Sequence, residues 1–422
     1  CCLAAVHLGA QMPRVQPLLG VGNTPAPPPG GVPATEDAFF DDAQVLDLAL
    51  DINSRDWQAL KDNFQSNTYY PADFKWNGQT VRNIGIRSRG TASRSAARPG
   101  LRIDFDRYTT GQRFLGLRSV VLRNNITDPS NMHERISFKL FRRLGIPTPR
   151  VAAVRLILNG TYDGLYSVVE SPDKHYLARI LGQDNGVLFK FDRNVGDEPN
   201  YFEYKGPDPA LYVPHPFQPE TNDNDPHPQP IADLIRAIAE EPEPNVRASL
   251  GRFIDVDAWV RHAAIENYLA ETDGFLGESG MNNYYLYQLA NSTMHVILPW
   301  DKSETFKAGP RHPVTRNIDD VPAQYKNRLM ERFWKFDDLR HLYFDTLVRA
   351  ADSASELAPG DGRTWLEREV EAIYGQIKGY VQADPTRPYS YADFEAAVEA
   401  MRVFARERPG FVRAEADDRR PD

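Results

Sequence analysis

Residues 267–306 read NYLAETDGFLGESGMNNYYLYQLANSTMHVILPWDKSETF, and this stretch constrains the rest of the chain most strongly. It begins at the end of an amphipathic helix and continues into a loop that contains Asp273, followed by a glycine. An aromatic segment that starts at Asn283 predicts a strand, and a short turn sends the chain back as a second strand. Asp301 comes directly after that return strand. The sequence therefore predicts a loop and a hairpin that place two acids and an asparagine at the ends of regular elements.

An acid on a loop, an asparagine after it and a second acid beyond a hairpin form an arrangement found in phosphoryl transfer. There the first acid orients a hydroxyl nucleophile, and the asparagine and second acid hold Mg²⁺ on nucleotide phosphates. The alternative is that Asp273 and Asp301 are only turn and cap residues, since Asp-Gly is a strong turn signal. Spacing alone leaves both interpretations open.

Composition places the chain among globular proteins of two or three domains, or of one two-lobed unit. Of the 422 residues, 41% are hydrophobic and 25% are charged, and the formal net charge is −9. An acidic balance argues against a nucleic-acid partner, because nucleic-acid-binding domains usually carry a basic stripe. No apolar run approaches the roughly 20 residues that a membrane-spanning helix needs.

The only two cysteines are Cys1 and Cys2, which excludes cysteine metal sites and cysteine nucleophiles from the folded part. A chain that starts with Cys and continues into a proline-rich tether is typical of a processed bacterial lipoprotein. We therefore expect membrane anchoring through a lipidated Cys1, and an extracytoplasmic or cell-surface location in preference to a cytoplasmic one. The alternative is an artefact in the definition of the N-terminus.

Pattern changes along the chain divide it into four regions. Residues 1–35 form a Pro/Gly-rich tether without a core of its own. Residues 36–192 are mostly predicted strands, residues 193–230 a long polar insertion, and residues 231–422 mostly predicted helices. The sequence thus predicts an α+β protein with a β-rich N-terminal part and a helical C-terminal part that share one cleft.

Several blocks, in this order, resemble the spore coat protein H (CotH) kinase family. They are RNIGIRSRGTASR (82–94), LRIDFD (101–106), ERISFKLFRRLGIPTPR (134–150), VRLILNGTYDGLYSVVE (154–170), VLFKFD (187–192), NNYYLY (282–287) and LPWD (298–301). The resemblance spans roughly residues 45–350. It implies an atypical protein-kinase-like, two-lobed fold that binds ATP and a divalent metal in the cleft between lobes.

The resemblance also implies roles for particular residues. Asp273 matches the family's catalytic acid, which accepts or orients the substrate hydroxyl. Asn283 and Asp301 supply hard oxygen ligands suited to Mg²⁺ or Mn²⁺. Lys190 falls where the family has a lysine at a strand end, and we expect it to contact phosphates or to pair with Glu170.

Two arginines complete the expected nucleotide site. Arg87 and Arg89 lead into Gly90-Thr91, and we expect them to fold over the triphosphate together with that loop. For these arginines, as for Lys190, the alternative is a solvated strand edge.

One departure from the family concerns the metal. Many members carry a second acid two residues beyond the first, where this chain has Ser303, followed by Glu304. If that acid holds metal, the protein binds nucleotide weakly or is a pseudokinase, unless the backbone turns Glu304 inward.

The sequence favours an atypical protein kinase that moves the γ-phosphate of ATP to Ser or Thr of a protein substrate, such as a coat or surface protein. No hydrolase elbow, Walker-type loop or zinc-protease motif is present. Two rivals remain: a catalytically inactive interaction module, and a kinase-like enzyme that transfers a nucleotidyl or glutamyl group.

Overall fold

The computed structural model describes residues 34–192, 202–278, 280–316, 318 and 326–421. The tether, including Cys1 and the lipid anchor expected there, lies outside these residues except for its last two positions. The polar insertion is described only from residue 202 onward. Among the described helices, none is long and apolar enough to cross a bilayer.

Seven strands of the N-terminal part close into a barrel with the order β1-β2-β3-β4-β5-β7-β6. The strands are β1 (Val45–Ile52), β2 (Tyr70–Trp76), β3 (Gln79–Ser88), β4 (Leu101–Asp104), β5 (Ser119–Arg123), β6 (Val151–Leu158) and β7 (Thr161–Glu170). All neighbours are antiparallel except β1 and β6, whose parallel pairing closes the barrel. Asn-Gly turns with positive φ at both positions, Asn77-Gly78 and Asn159-Gly160, connect two of the hairpins.

The β-rich N-terminal part and the helical C-terminal part are confirmed. The closed barrel of the N-terminal part was not predicted. Closure depends on β1 meeting β6, and sequence periodicity tells which face of a strand is buried but not which strands pair. Strand β5 was not predicted either, since all five of its residues are buried and it shows no alternation.

A second sheet has the order β11-β10-β8-β9. Its strands are β8 (Val187–Phe191), β9 (Phe217–Pro219), β10 (Tyr284–Gln288) and β11 (His295–Pro299). Strand β9 lies inside the region predicted as a polar insertion, so that region contributes to the sheet. Tyr284 packs with Leu286 in the large helical core, while Tyr285 and Tyr287 belong to a smaller core with Trp300. The aromatic residues of β10 therefore pack on both faces of the sheet.

Helices make up most of the C-terminal part. The described helices are α1 (Glu36–Phe39), α2 (Ser54–Asp62), α3 (His133–Arg143), α4 (Lys174–Leu181), α5 (Gln229–Glu240), α6 (Val246–Leu250), α7 (Val256–Tyr268), α8 (Arg328–Phe333), α9 (Asp337–Ala354), α10 (Trp365–Ala383) and α11 (Tyr391–Arg419). Short 3₁₀ turns occur at residues 209–211 and 243–245. One hydrophobic core fills the barrel, and a larger one packs the helices against the second sheet.

Candidate active site

A cavity of about 500 Å³ is lined by residues of the barrel, of helix α3 and of the second sheet with its connecting loops. Six of the seven predicted site residues line it: Arg87, Arg89, Lys190, Asp273, Asn283 and Asp301. The structure thus brings together residues that are far apart in the sequence. We call the segments that carry Asp273, Asn283 and Asp301 the acid loops, because all three residues lie outside the strands.

Asp273 is held by two amides. Its Oδ2 atom accepts hydrogen bonds from Asn282 Nδ2 at 3.0 Å and from Asn283 Nδ2 at 2.9 Å. Asn283 Nδ2 also donates to the Asp273 carbonyl oxygen at 2.8 Å. Because the amide nitrogen of Asn283 is committed to Asp273, its Oδ1 is the atom available to a cation. The positions of Asp273 and Asn283 are therefore fixed relative to each other.

Asp301 lies next to Asn283, because Trp300 N donates to the Asn283 carbonyl oxygen at 3.1 Å at the end of the β10–β11 pair. Its Oδ2 accepts a hydrogen bond from Arg123, and its Oδ1 accepts one from Ser303 Oγ at 3.1 Å. Burial would raise the pKa of Asp301, but Arg123 and Arg89 lower it below its usual value. The carboxylate therefore stays ionised at neutral pH.

Asn283 and Asp301 form a donor set that suits a hard divalent cation. Both have left-handed backbone conformations, with φ of 54° and 45°. Mg²⁺ commonly binds to one or two protein oxygens and completes its shell with waters and substrate phosphates. No cluster of three or more acidic, histidine or cysteine ligands occurs among the described residues. A metal here would therefore be shared with a bound phosphate ligand.

Four of the basic residues that line the same cavity are Arg87, Arg89, Arg102 and Lys190. We call them the cation wall. Arg87 and Arg102 are directly opposite each other on β3 and β4, and Lys190 lies on β8. Within the described part of the chain, none of the four has a carboxylate at ion-pair distance; Arg87 instead donates to Asn67 Oδ1 at 2.9 Å. Burial and, to a smaller extent, the nearby Arg123 lower the pKa of Arg89 to about 10. Such a wall favours a polyanionic ligand.

Arg123 and Glu134 were missed by the sequence reasoning. Arg123 ends β5, and its Nη2 donates to Glu134 Oε1 on α3 at 2.8 Å while its Nη1 bonds to Asp301. Burial alone would lower the pKa of Arg123, but Asp301 and Glu134 raise it. The guanidinium also lies over the Trp300 ring, 4.9 Å from its centroid. No local pattern points to this bridge, because its members come from three distant segments.

The predicted pairing of Lys190 with Glu170 is wrong. Glu170 is buried at the end of β7, where it accepts hydrogen bonds from Arg150 Nη2 at 2.7 Å and Arg179 Nε at 2.9 Å. Glu170 is absent from the cavity lining, whereas Lys190 belongs to it. The two residues end different strands that meet different neighbours, and Glu170 serves to hold α4 against the barrel.

The loop after β3 is braced at the cavity. Gly90 has a φ of 112°, which is accessible mainly to glycine, and Gly90 and Thr91 line the cavity as expected. Arg94 Nε donates to the Gly90 carbonyl oxygen at 2.8 Å, and Arg94 Nη1 donates to the Ser66 carbonyl oxygen at 2.9 Å. These bonds fix the loop in place beside the cation wall.

At the position of the family's second acid, Ser303 donates to Asp301. The next residue, Glu304, also lines the cavity, but it forms an ion pair with Lys307 at 2.6 Å. Of residues 301 and 303, only Asp301 therefore supplies a carboxylate to the cavity.

Comparison with known proteins identifies the family of the chain. The family model described as CotH kinase protein matches residues 86–412, which include all of the predicted site residues. The chain belongs to the CotH kinase protein family. It is 23% identical over 364 residues to inner spore coat protein H of Bacillus subtilis (strain 168), and the match covers 86% of this chain and 95% of the relative.

Proposed function

We propose that the protein is a phosphotransferase that moves the γ-phosphate of ATP to a Ser or Thr hydroxyl of a protein, with Mg²⁺ or Mn²⁺. The observation that carries the proposal is that the cation wall, whose members have no carboxylate at ion-pair distance among the described residues, lines the same cavity as the acid loops. Membership of the CotH kinase family supports the same reaction class and, with it, the expected kinase-like architecture. Fold alone would not fix the reaction, so the argument rests on the side chains.

Arg87, Arg89, Arg102 and Lys190 bind and orient the phosphate chain. Hydrogen bonds from guanidinium and ammonium groups to phosphate oxygens are stronger than neutral ones, and they disperse the charge that develops during transfer. Because Arg87 and Arg102 are on paired strands, their backbones are held rigidly before the ligand arrives. Positioning of this kind supplies much of the acceleration in phosphoryl transfer.

Asp273 orients the incoming hydroxyl and takes its proton. In the step we propose, the hydroxyl oxygen forms a bond to the γ-phosphorus while the bond from that phosphorus to the β,γ-bridging oxygen breaks. ADP leaves with the electron pair, and the hydroxyl proton moves to the Asp273 carboxylate. The amides of Asn282 and Asn283 fix the orientation of that carboxylate. Asn283 and Asp301 would hold the metal, which would neutralise charge on the phosphates.

The partner we propose is a protein displayed on a coat or cell surface. Support comes from the name of the relative, inner spore coat protein H, and from the sequence-based expectation of a lipid anchor at Cys1. The substrate hydroxyl must reach Asp273, which is partly exposed at the cavity.

Transfer from differently labelled ATP tests the proposal. The full-length protein is incubated with a mixture of candidate coat proteins, Mn²⁺ or Mg²⁺, and ATP labelled in either the γ- or the α-phosphate. Label from the γ position on protein, absent in Asp273→Asn, supports phosphotransfer. Label from the α position alone would replace it with nucleotidyl transfer, and incorporation of labelled glutamate with unlabelled ATP would replace it with glutamyl transfer.

A specific observation favours the inactive-module alternative. Ser303 donates to Asp301 where many family members have a second acid, so the metal end carries little negative charge. Metal-free ATP binding together with no transfer in any labelled assay would support this alternative and contradict the proposed enzyme.

A further inference from the structure

Lys302, the residue after Asp301, has a completely buried side chain. Its Nζ donates to Glu266 Oε1 on α7 at 2.6 Å and to the Asn283 carbonyl oxygen at 3.2 Å. Glu271 Oε2, at the start of the Asp273 loop, is 3.7 Å away. One buried ammonium therefore contacts the helix that precedes the acid loops, the loop itself and the asparagine.

Two acidic residues face Lys302, Glu266 and Glu271, and both also contact the loop that carries Asp273. Glu271 accepts the backbone N–H of Asp273 at 2.8 Å. On the other side, Gly274 approaches Glu266 so closely that a Cβ on it would be 2.5 Å from Oε2. Glycine is thus required where the backbone passes this carboxylate. Burial would raise the pKa of Glu266, but Lys302 and His262 lower it to about 2, so that the ion pair persists at neutral pH.

We propose that Lys302 is the positioning residue of the acid loops. The single cation sets the places of Asp273, Asn283 and Asp301 relative to one another, without itself lining the cavity. A buried carboxylate stays in place only when it is paired and hydrogen-bonded, so removal of the cation leaves Glu266 without its ammonium partner. Burial raises the pKa of Glu271 to about 8, so this residue is largely uncharged at neutral pH and loses only a polar neighbour at 3.7 Å. This inference rests on the proposed function for what the acid loops do, but the contacts exist independently of it.

The proposal predicts a split between two kinds of binding. The cation wall lies on or beside β3, β4 and β8, and none of its members contacts Lys302 among the described interactions. Binding of ATP without metal should therefore survive the loss of Lys302. Metal binding to the ATP complex and phosphate transfer depend on the acid loops and should fail. A general structural role would weaken all three alike.

The test compares Lys302→Met with Lys335→Met, the same change at an exposed lysine that pairs with Glu243 outside the cavity. ATP affinity is measured in chelator, Mn²⁺ affinity of the ATP complex by electron paramagnetic resonance, and transfer in a single turnover. For Lys302→Met we expect metal-free ATP affinity within about threefold of wild type and Mn²⁺ affinity about tenfold weaker. We expect transfer roughly 100-fold slower, since a displacement of about 1 Å costs that much. Lys335→Met should match wild type in all three.

Two outcomes would overturn the inference: Lys302→Met with wild-type Mn²⁺ affinity and rate, or equal losses in all three measurements. If wild-type protein transfers no phosphate, the proposed function fails, and the two binding measurements still decide the role of Lys302.

Two variants of Glu271 test the inference if Lys302→Met does not fold. Glu271→Gln keeps an oxygen for the Asp273 N–H, whereas Glu271→Leu removes it while leaving the Lys302–Glu266 pair intact. We expect Mn²⁺ affinity of the ATP complex to be about tenfold weaker in the leucine variant and near wild type in the glutamine variant. Equal affinities in the two variants would contradict the inference.

Discussion

The cation wall and the acid loops face the same cavity but are built in opposite ways. Arg87, Arg102 and Lys190 are on strands whose neighbours fix their backbones. Asn283 and Asp301 lie outside strands in left-handed conformations that non-glycine residues rarely adopt, at a cost of order 1 kcal/mol each. Surrounding contacts must hold them there. In the proposed function, phosphate is therefore bound by residues on rigid strands, and the chemistry takes place on loops that depend on buried charges.

The largest effect should come from loss of Arg123, which bridges Glu134 and Asp301. Arg123→Met leaves Asp301 and Glu134 without their shared cation, and removal of one partner of a buried pair costs about 3–5 kcal/mol. The control is Arg155→Met, whose partner Asp47 is 42% exposed, with an expected cost of at most about 1 kcal/mol. Urea denaturation gives both free energies of unfolding. Equal losses would mean that the bridge is not a special feature of the cavity.

The second-largest effect is a loss of stability at acidic pH, caused by a buried histidine on the strand that leads to Asp301. His295 begins β11, the strand that leads to Asp301, and burial lowers its pKa to about 4 from a usual value near 6.5. A lowered histidine pKa means that the unfolded chain binds more protons, so stability falls as pH drops from about 6.5 to about 4. The full shift is worth roughly 3 kcal/mol.

Unfolding free energies measured across that pH range in His295→Gln should show a shallower fall than in wild type. The exposed His227→Gln serves as the control and should follow the wild-type curve. If the unfolding free energy of His295→Gln falls as steeply with pH as that of wild type, His295 does not cause the pH dependence.

A smaller effect is expected within the cation wall. Arg102→Met should weaken metal-free ATP binding about tenfold, because one charge-assisted contact is lost. Arg118→Met changes an arginine of the same barrel that pairs with Asp106 outside the cavity, and it should leave the affinity unchanged. Isothermal titration in chelator measures both. Unaltered binding in Arg102→Met would exclude this residue from the phosphate site.

The smallest effect concerns the missing second acid. Ser303→Asp places a carboxylate beside Asp301 and should strengthen Mn²⁺ binding to the ATP complex several-fold, because added ligand charge raises cation affinity. Ser303→Asn has nearly the same shape without the charge and should give no gain. If the two variants bind Mn²⁺ alike, the charge at residue 303 does not limit metal binding.

Sequence reasoning succeeded where the signal is local. Local patterns predict strands over residues 45–52 and 187–191 and a helix over residues 174–181, and these are the observed bounds of β1, β8 and α4. Such patterns are reliable because alternation, caps and turn residues act over a few positions. The acid loops were found for the same reason: Asp273, Asn283 and Asp301 belong to one stretch with clear turn and strand patterns.

Sequence reasoning failed where the decisive contact joins distant segments. Barrel closure depends on β1 meeting β6, and the bridge from Arg123 to Glu134 and Asp301 joins β5, α3 and the loop after β11. Arg102 lies within the segment LRIDFD (101–106), and its place in the cavity depends on which strand lies beside that segment. Periodicity carries no information on such pairings.

The central claim is that chemistry belongs to the acid loops and binding to the cation wall. Its most direct test is the single-turnover transfer rate of Asp273→Asn at saturating ATP and Mn²⁺, with ATP affinity measured on the same protein. We expect the rate to fall about 10³-fold, as for loss of a proton-accepting group, with ATP affinity within about threefold of wild type. A variant that transfers phosphate at the wild-type rate, or that loses ATP binding along with transfer, would contradict this division.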